Sequence, residues 1–108
     1  MNILKQVEPT QWPKANYNPV AYIDLEPTYF VDNLGIDFFV ECDSLGECET
    51  CLLKLEKADG DIYFSLFRYL DVEEGVNVLC DMLLPNTQIV VQEILTSLGI
   101  DRDLVTLS

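Results

Sequence analysis

Four cysteines are the residues of this chain whose type and spacing could do chemistry: Cys42, Cys48, Cys51 and Cys80, standing as C-x5-C-x2-C-x28-C. Thiolates bind soft metals and carry redox change. Three of the four fall within Cys42-Asp43-Ser44-Leu45-Gly46-Glu47-Cys48-Glu49-Thr50-Cys51, which is expected to form a tight loop. A [2Fe–2S] cluster takes four thiolates, two per iron, and its sulfides accept hydrogen bonds from backbone N–H groups. Gly46 permits backbone angles closed to other residues. Small Ser44 and Thr50 would let the main chain approach the sulfides and add hydroxyl donors. The distant Cys80 would close a long loop on binding. A structural zinc site with four cysteines is the sharper rival, although such sites favour two C-x2-4-C knuckles and only Cys48 and Cys51 form one here. The plain alternative is four buried cysteines packing as small hydrophobes.

Composition narrows the field. Histidine is absent, which removes the usual general base, the nucleophile pairs built on it and every mixed Cys/His zinc site. Six Lys and Arg against 19 Asp and Glu leave a formal charge of −13, which repels nucleic acid and anionic membranes and attracts basic protein surfaces. Apolar residues make up 49% of 108, enough for one domain with its own core. Lys5, Gln6, Glu8, Pro9, Gln11, Pro13 and Lys14 interrupt any signal-peptide core, and no run is long enough to span a membrane. The expected location is cytoplasmic, or an organelle stroma or matrix if a transit peptide has been removed. In such a reducing compartment four cysteines point to metal or redox work before disulfides.

Several short elements must position the cysteines. Ile3 to Glu8 and Val20 to Leu25 read as strands and suggest an N-terminal hairpin. Pro27 suits a first helical position, Thr28 to Leu34 reads as a short helix, and Gly35 stops it. Cys51 to Lys57 alternates as a half-buried strand, Asp59-Gly60 makes a hairpin turn, and Asp61 to Phe67 returns. Asp71 to Gly75 reads as an acidic helical turn before Val76 to Leu79 leads into Cys80. Asn86 and Gly99 could frame one longer helix, but branched Ile89, Val90 and Val91 favour a strand over Thr87 to Gln92, with a helical or irregular tail to Ser108. Periodicity alone reaches α+β.

The cysteine pattern with its flanks resembles the plant-type and adrenodoxin-type [2Fe–2S] ferredoxins. Thr28-Tyr29-Phe30-Val31-Asp32 and Leu34-Gly35-Ile36-Asp37 are similar to the family's helix and its approach to the first ligand. Thr50 before Cys51 and Glu73-Glu74-Gly75-Val76-Asn77-Val78-Leu79 before Cys80 also match. Asp43 stands where the plant branch commonly has Arg. The resemblance implies a β-grasp fold, a mixed sheet with one short helix packed across it, over residues 1–95, with 96–108 as a C-terminal extension. It implies one [2Fe–2S] cluster on Cys42, Cys48, Cys51 and Cys80, and an exposed aromatic, Phe67, beside it.

Two functions are expected from these residues. The first is a monomeric one-electron carrier, not an enzyme, exchanging electrons with basic redox proteins: a reductase and ferredoxin-dependent enzymes. Asp43, Glu47 and Glu49, with Asp71, Glu73 and Glu74, would then form an acidic docking collar around the cluster. The second is an acidic inhibitor of antitoxin or immunity type that neutralises a basic partner, with the cysteines incidental. Neither involves nucleic acid or membrane insertion.

Overall fold

Alternation of apolar with polar residues decides most of the backbone. In Leu53-Lys54-Leu55-Glu56, and in Ile62-Tyr63-Phe64-Ser65-Leu66, every second side chain can enter a core only if the chain is extended. The computed structural model describes residues 3–14, 17–58, 60–70, 74–81 and 87–107. Its elements are β1 (Ile3–Gln6), β2 (Tyr17–Ile23), α1 (Pro27–Leu34), β3 (Phe39–Asp43), β4 (Gly46–Lys57), β5 (Gly60–Tyr69), β6 (Val76–Asp81), α2 (Thr87–Leu98) and β7 (Val105–Leu107). Short 3-10 turns lie at Pro9–Gln11 and Arg102–Leu104.

The architecture is α+β. One seven-stranded sheet runs β1-β4-β5-β6-β2-β7, with β3 also paired to β4. Every described pairing is antiparallel, where a mixed sheet was expected. β4 is 12 residues long, and its outer edge serves two short strands in succession: β3 opposite Gly46 to Thr50, β1 opposite Leu53 to Glu56. β1 and β2 therefore do not form the expected N-terminal hairpin, because β1 finds its partner on β4 and β2 lies between β6 and β7.

One sheet face carries the core. Cys51, Leu53 and Leu55 of β4, Ile62, Phe64 and Leu66 of β5, Val76, Val78 and Cys80 of β6, and Ala21 and Ile23 of β2 are all buried on it. Phe30 of α1 and Val90, Val91, Ile94, Leu95 and Leu98 of α2 join the same cluster. Fully burying each large apolar side chain stabilises the fold by roughly 1.5–3 kcal/mol. Gly35 caps α1 in the left-handed region at φ 66°, its N–H donating to the Val31 carbonyl.

Thr87–Leu98 is helix, where a strand over Thr87 to Gln92 was expected. Its buried positions 90, 91, 94, 95 and 98 keep the helical period, and this packing outweighs the strand preference of three consecutive branched residues. The segment expected as an extension after residue 95 holds the last turn of α2 and β7, whose Val105, Thr106 and Leu107 pair with Ile23, Tyr22 and Ala21.

Candidate functional site

Cys42 through Cys51 does not wrap as a loop; it forms a hairpin. Asp43 and Gly46 close a two-residue turn between β3 and β4, Cys42 faces Glu47, Glu41 faces Cys48, and Phe39 faces Thr50. The local chemistry favours this turn. Asp43 Oδ1 accepts from the Leu45 N–H at 2.8 Å, an Asx turn, and Gly46 takes φ 131°, which side chains rarely tolerate. Asp43 Oδ2 also accepts from the Tyr69 hydroxyl at 2.9 Å, tying the turn to the end of β5. Together the Leu45 amide, first, and Tyr69 hold the Asp43 carboxyl below its ordinary range, so it stays charged.

The hairpin separates the cysteines. Residues paired across strands share a face, so Cys42 lies on the face of Glu47, Glu49 and Cys51, while Cys48 lies on the other with Glu41 and Thr50. Cys42 is exposed, whereas Cys48 is buried with its thiol donating to the Glu41 carbonyl at 3.5 Å. Cys51 and Cys80 are wholly inside the core. They sit on β4 and β6 with β5 between them, Cys51 opposite Leu66 and Cys80 opposite Phe64, so their backbones are roughly 10 Å apart or more. Burial pushes the Cys51 thiol up to about 12 and raises Cys80 as well. The Cys48 thiol is raised by burial first, and then by the charges of Asp43 and Glu41.

A metal takes thiolates that converge on it at about 2.3 Å. Cys42 is in the open, Cys48 is under one face and Cys51 and Cys80 are inside the other, so as placed these residues do not fit one [2Fe–2S] cluster or a tetrahedral zinc ion. Among the described residues no three His, Cys, Asp or Glu side chains are grouped to hold a metal. Ser44 and Gly46 occupy the hairpin turn and its end, and Thr50 is buried beside Cys48, none of them surrounding a common centre. Phe67 is half-buried on β5 opposite Thr50 and packs edge-on against Tyr69 at 5.0 Å.

The acids divide in a different way. Glu49 is half-buried and paired with Arg68 at 3.2 Å, which removes it from any open collar. Asp43 and Glu47 are exposed, as is Glu74 between the Tyr69 end of β5 and the start of β6, while Asp71 and Glu73 lie outside the described residues. Glu41 joins Asp43 and Glu47 on the hairpin. The described ion pairs engage Lys5, Lys54, Lys57 and Arg68 with Glu56, Asp61, Glu93 and Glu49, so none reaches Glu41, Asp43 or Glu47. Between these carboxylates two apolar side chains stand in water, Val40 at 60% and Leu45 at 77% exposure. Sequence reasoning gave no site role to Val40, Glu41, Leu45 and Tyr69. The signal was the alternation of Glu47 and Glu49 with Cys48 and Thr50, which continues the strand back to the turn at Asp43.

Comparison with known proteins finds no family model, no curated protein and no solved structure that matches the chain. No helix among the described residues is long and apolar enough to cross a membrane.

Proposed function

We propose that this chain is an acidic binding protein that neutralises a basic protein partner, in the manner of an antitoxin or immunity protein, and that the β3–β4 hairpin is its docking element. One observation carries the reading: Glu41, Asp43 and Glu47 stand exposed, with no ion pair among the described residues, on an arm that also exposes Val40 and Leu45. Apolar side chains exposed among like charges are what a protein interface needs. The charges steer a basic surface in and reject acidic ones, and the apolar groups gain from leaving water. The overall charge of −13 extends the steering to long range at low salt.

The test is affinity capture from the source extract with the wild-type chain and with Glu41→Lys/Asp43→Lys/Glu47→Lys. The wild type is expected to retain a basic polypeptide that elutes with salt and that the triple variant fails to hold. Equal capture by both proteins would contradict the reading.

A second reading keeps the cysteine pattern in view. The spacing C-x5-C-x2-C-x28-C supports a one-electron carrier of the [2Fe–2S] ferredoxin kind on a β-grasp fold, with a reductase and ferredoxin-dependent enzymes as partners. That function would require β3 to leave β4 and Cys51 and Cys80 to leave the core, which is why it stands second.

A further inference from the structure

The hairpin that carries the acids also carries a sheet edge that is open among the described residues. Among the described residues β3 pairs only with β4, and β1 continues along the same edge of β4, not beside β3. With the two-residue turn closed at Asp43 and Gly46, the hydrogen-bonded pairs are those of Asp43, Glu41 and Phe39. The alternate residues, Val40 and Cys42, therefore turn their N–H and C=O groups outward.

We propose that the partner of this protein docks by adding a basic extended strand to the free edge of β3. The proposal rests on the acidic-docking reading above and names its mode. An added strand would pair its backbone with Val40 and Cys42, which supplies affinity without regard to sequence, and its side chains would alternate between two faces. On one face they meet Glu41 and Asp43, spaced two residues apart as successive same-face side chains are. On the other they meet Val40 and Cys42, with Glu47 behind. The complementary strand is thus one of alternating Lys or Arg with branched aliphatics. A second copy of this chain does not suit the edge, because it would set Glu41 and Asp43 against their own copies. The acids therefore do two things: they prevent self-pairing, as edge charges do, and they select a basic strand.

The probe is the peptide acetyl-(Lys-Val)5-amide, titrated into the folded, isotope-labelled chain. Binding is expected to slow exchange of the Val40 and Cys42 amides and to leave Ser44 and Leu45 little changed. Val40→Pro removes one outward donor and leaves the bonds to β4 in place, so it should weaken binding by about tenfold. Val40→Thr keeps the backbone donor and should bind within about twofold of wild type. Retained amide dispersion in Val40→Pro establishes that it is folded. Peptide binding that spares the Val40 and Cys42 amides, or no binding, would overturn strand addition. If Val40→Pro binds as the wild type does while Glu41→Lys/Asp43→Lys/Glu47→Lys does not, strand addition fails and the acidic-docking reading survives. Equal binding by all of these proteins would contradict both.

Discussion

The side-chain amide of Gln6 clasps the backbone of Asp37 from both sides, donating to its carbonyl at 2.7 Å and accepting from its N–H at 3.1 Å. Gln6 ends β1 and Asp37 leads into β3, so one side chain bridges the seam between the two strands that share the outer edge of β4. The Val7 N–H continues the β1 side to the Leu52 carbonyl at 2.8 Å. Position 6 thereby anchors the base of the β3–β4 hairpin.

Gln6→Ala should cost about 1 kcal/mol, since two hydrogen bonds are lost at an exposed site where water replaces both. The more telling result is local. Amide exchange of Phe39 and Glu41, which bond to β4, should speed up while that of Leu53 and Phe64 holds, as hydrogen exchange with mass or NMR detection would show. A uniform change across the sheet would contradict the anchoring role.

Asp43 offers a test by pH. Its folded carboxyl titrates below the ordinary value of 3.8, because the Leu45 amide and then the Tyr69 hydroxyl donate to the charged form. A lowered folded value means that the turn's contribution is present above pH 3.8 and is lost as pH falls through the folded value. Tyr69→Phe should shift the Asp43 carboxyl, followed by carbon NMR, upward but not fully to 3.8, since the Leu45 amide remains. An unchanged titration would show that the Tyr69 contact does not form in solution.

Leu98→Ala tests whether the chain's end belongs to the core. Leu98 is 2% exposed at the end of α2. Its truncation leaves a cavity and should destabilise by roughly 2–5 kcal/mol in denaturant unfolding. A change below about 0.5 kcal/mol, typical of surface positions, would mean that this segment is an appendage.

These tests fall where sequence and structure part. The alternation in Cys51 to Lys57 and Asp61 to Phe67 was legible because one face of each strand is buried, and α1 was legible through Pro27 and Gly35. Helix α2 was legible only as the alternative framed by Asn86 and Gly99, because Ile89, Val90 and Val91 each prefer extended backbone and packing against the sheet decides for the period of 90, 94 and 98. The pairing of β1 with β4 joins residues about fifty positions apart, which no local pattern encodes. At the site, a spacing of three puts Cys48 and Cys51 together if the backbone is a loop. In a strand an odd spacing sends them to opposite faces, so the same letters describe a ligand pair or two separated thiols.

Thiol reactivity distinguishes those two states residue by residue. In the native protein Cys42 should react quickly with a thiol reagent at pH 8, and Cys48, Cys51 and Cys80 slowly, because all three are buried and Cys51 is held protonated with its value pushed up to about 12. Stability present below pH 9.0, the ordinary thiol value, should fall as pH rises toward about 12, since only the unfolded Cys51 then loses its proton readily. A smaller drop in Cys51→Ala would assign that share to Cys51, since Cys48 and Cys80 are raised as well.

The most direct measurement is the iron and acid-labile sulfide content of the chain purified without oxygen, read with its visible spectrum. The account predicts a colourless protein with neither element and with four thiols titratable after denaturation. A brown protein holding two irons and two sulfides, and losing both on Cys80→Ser, would contradict it and return the four cysteines to a single site.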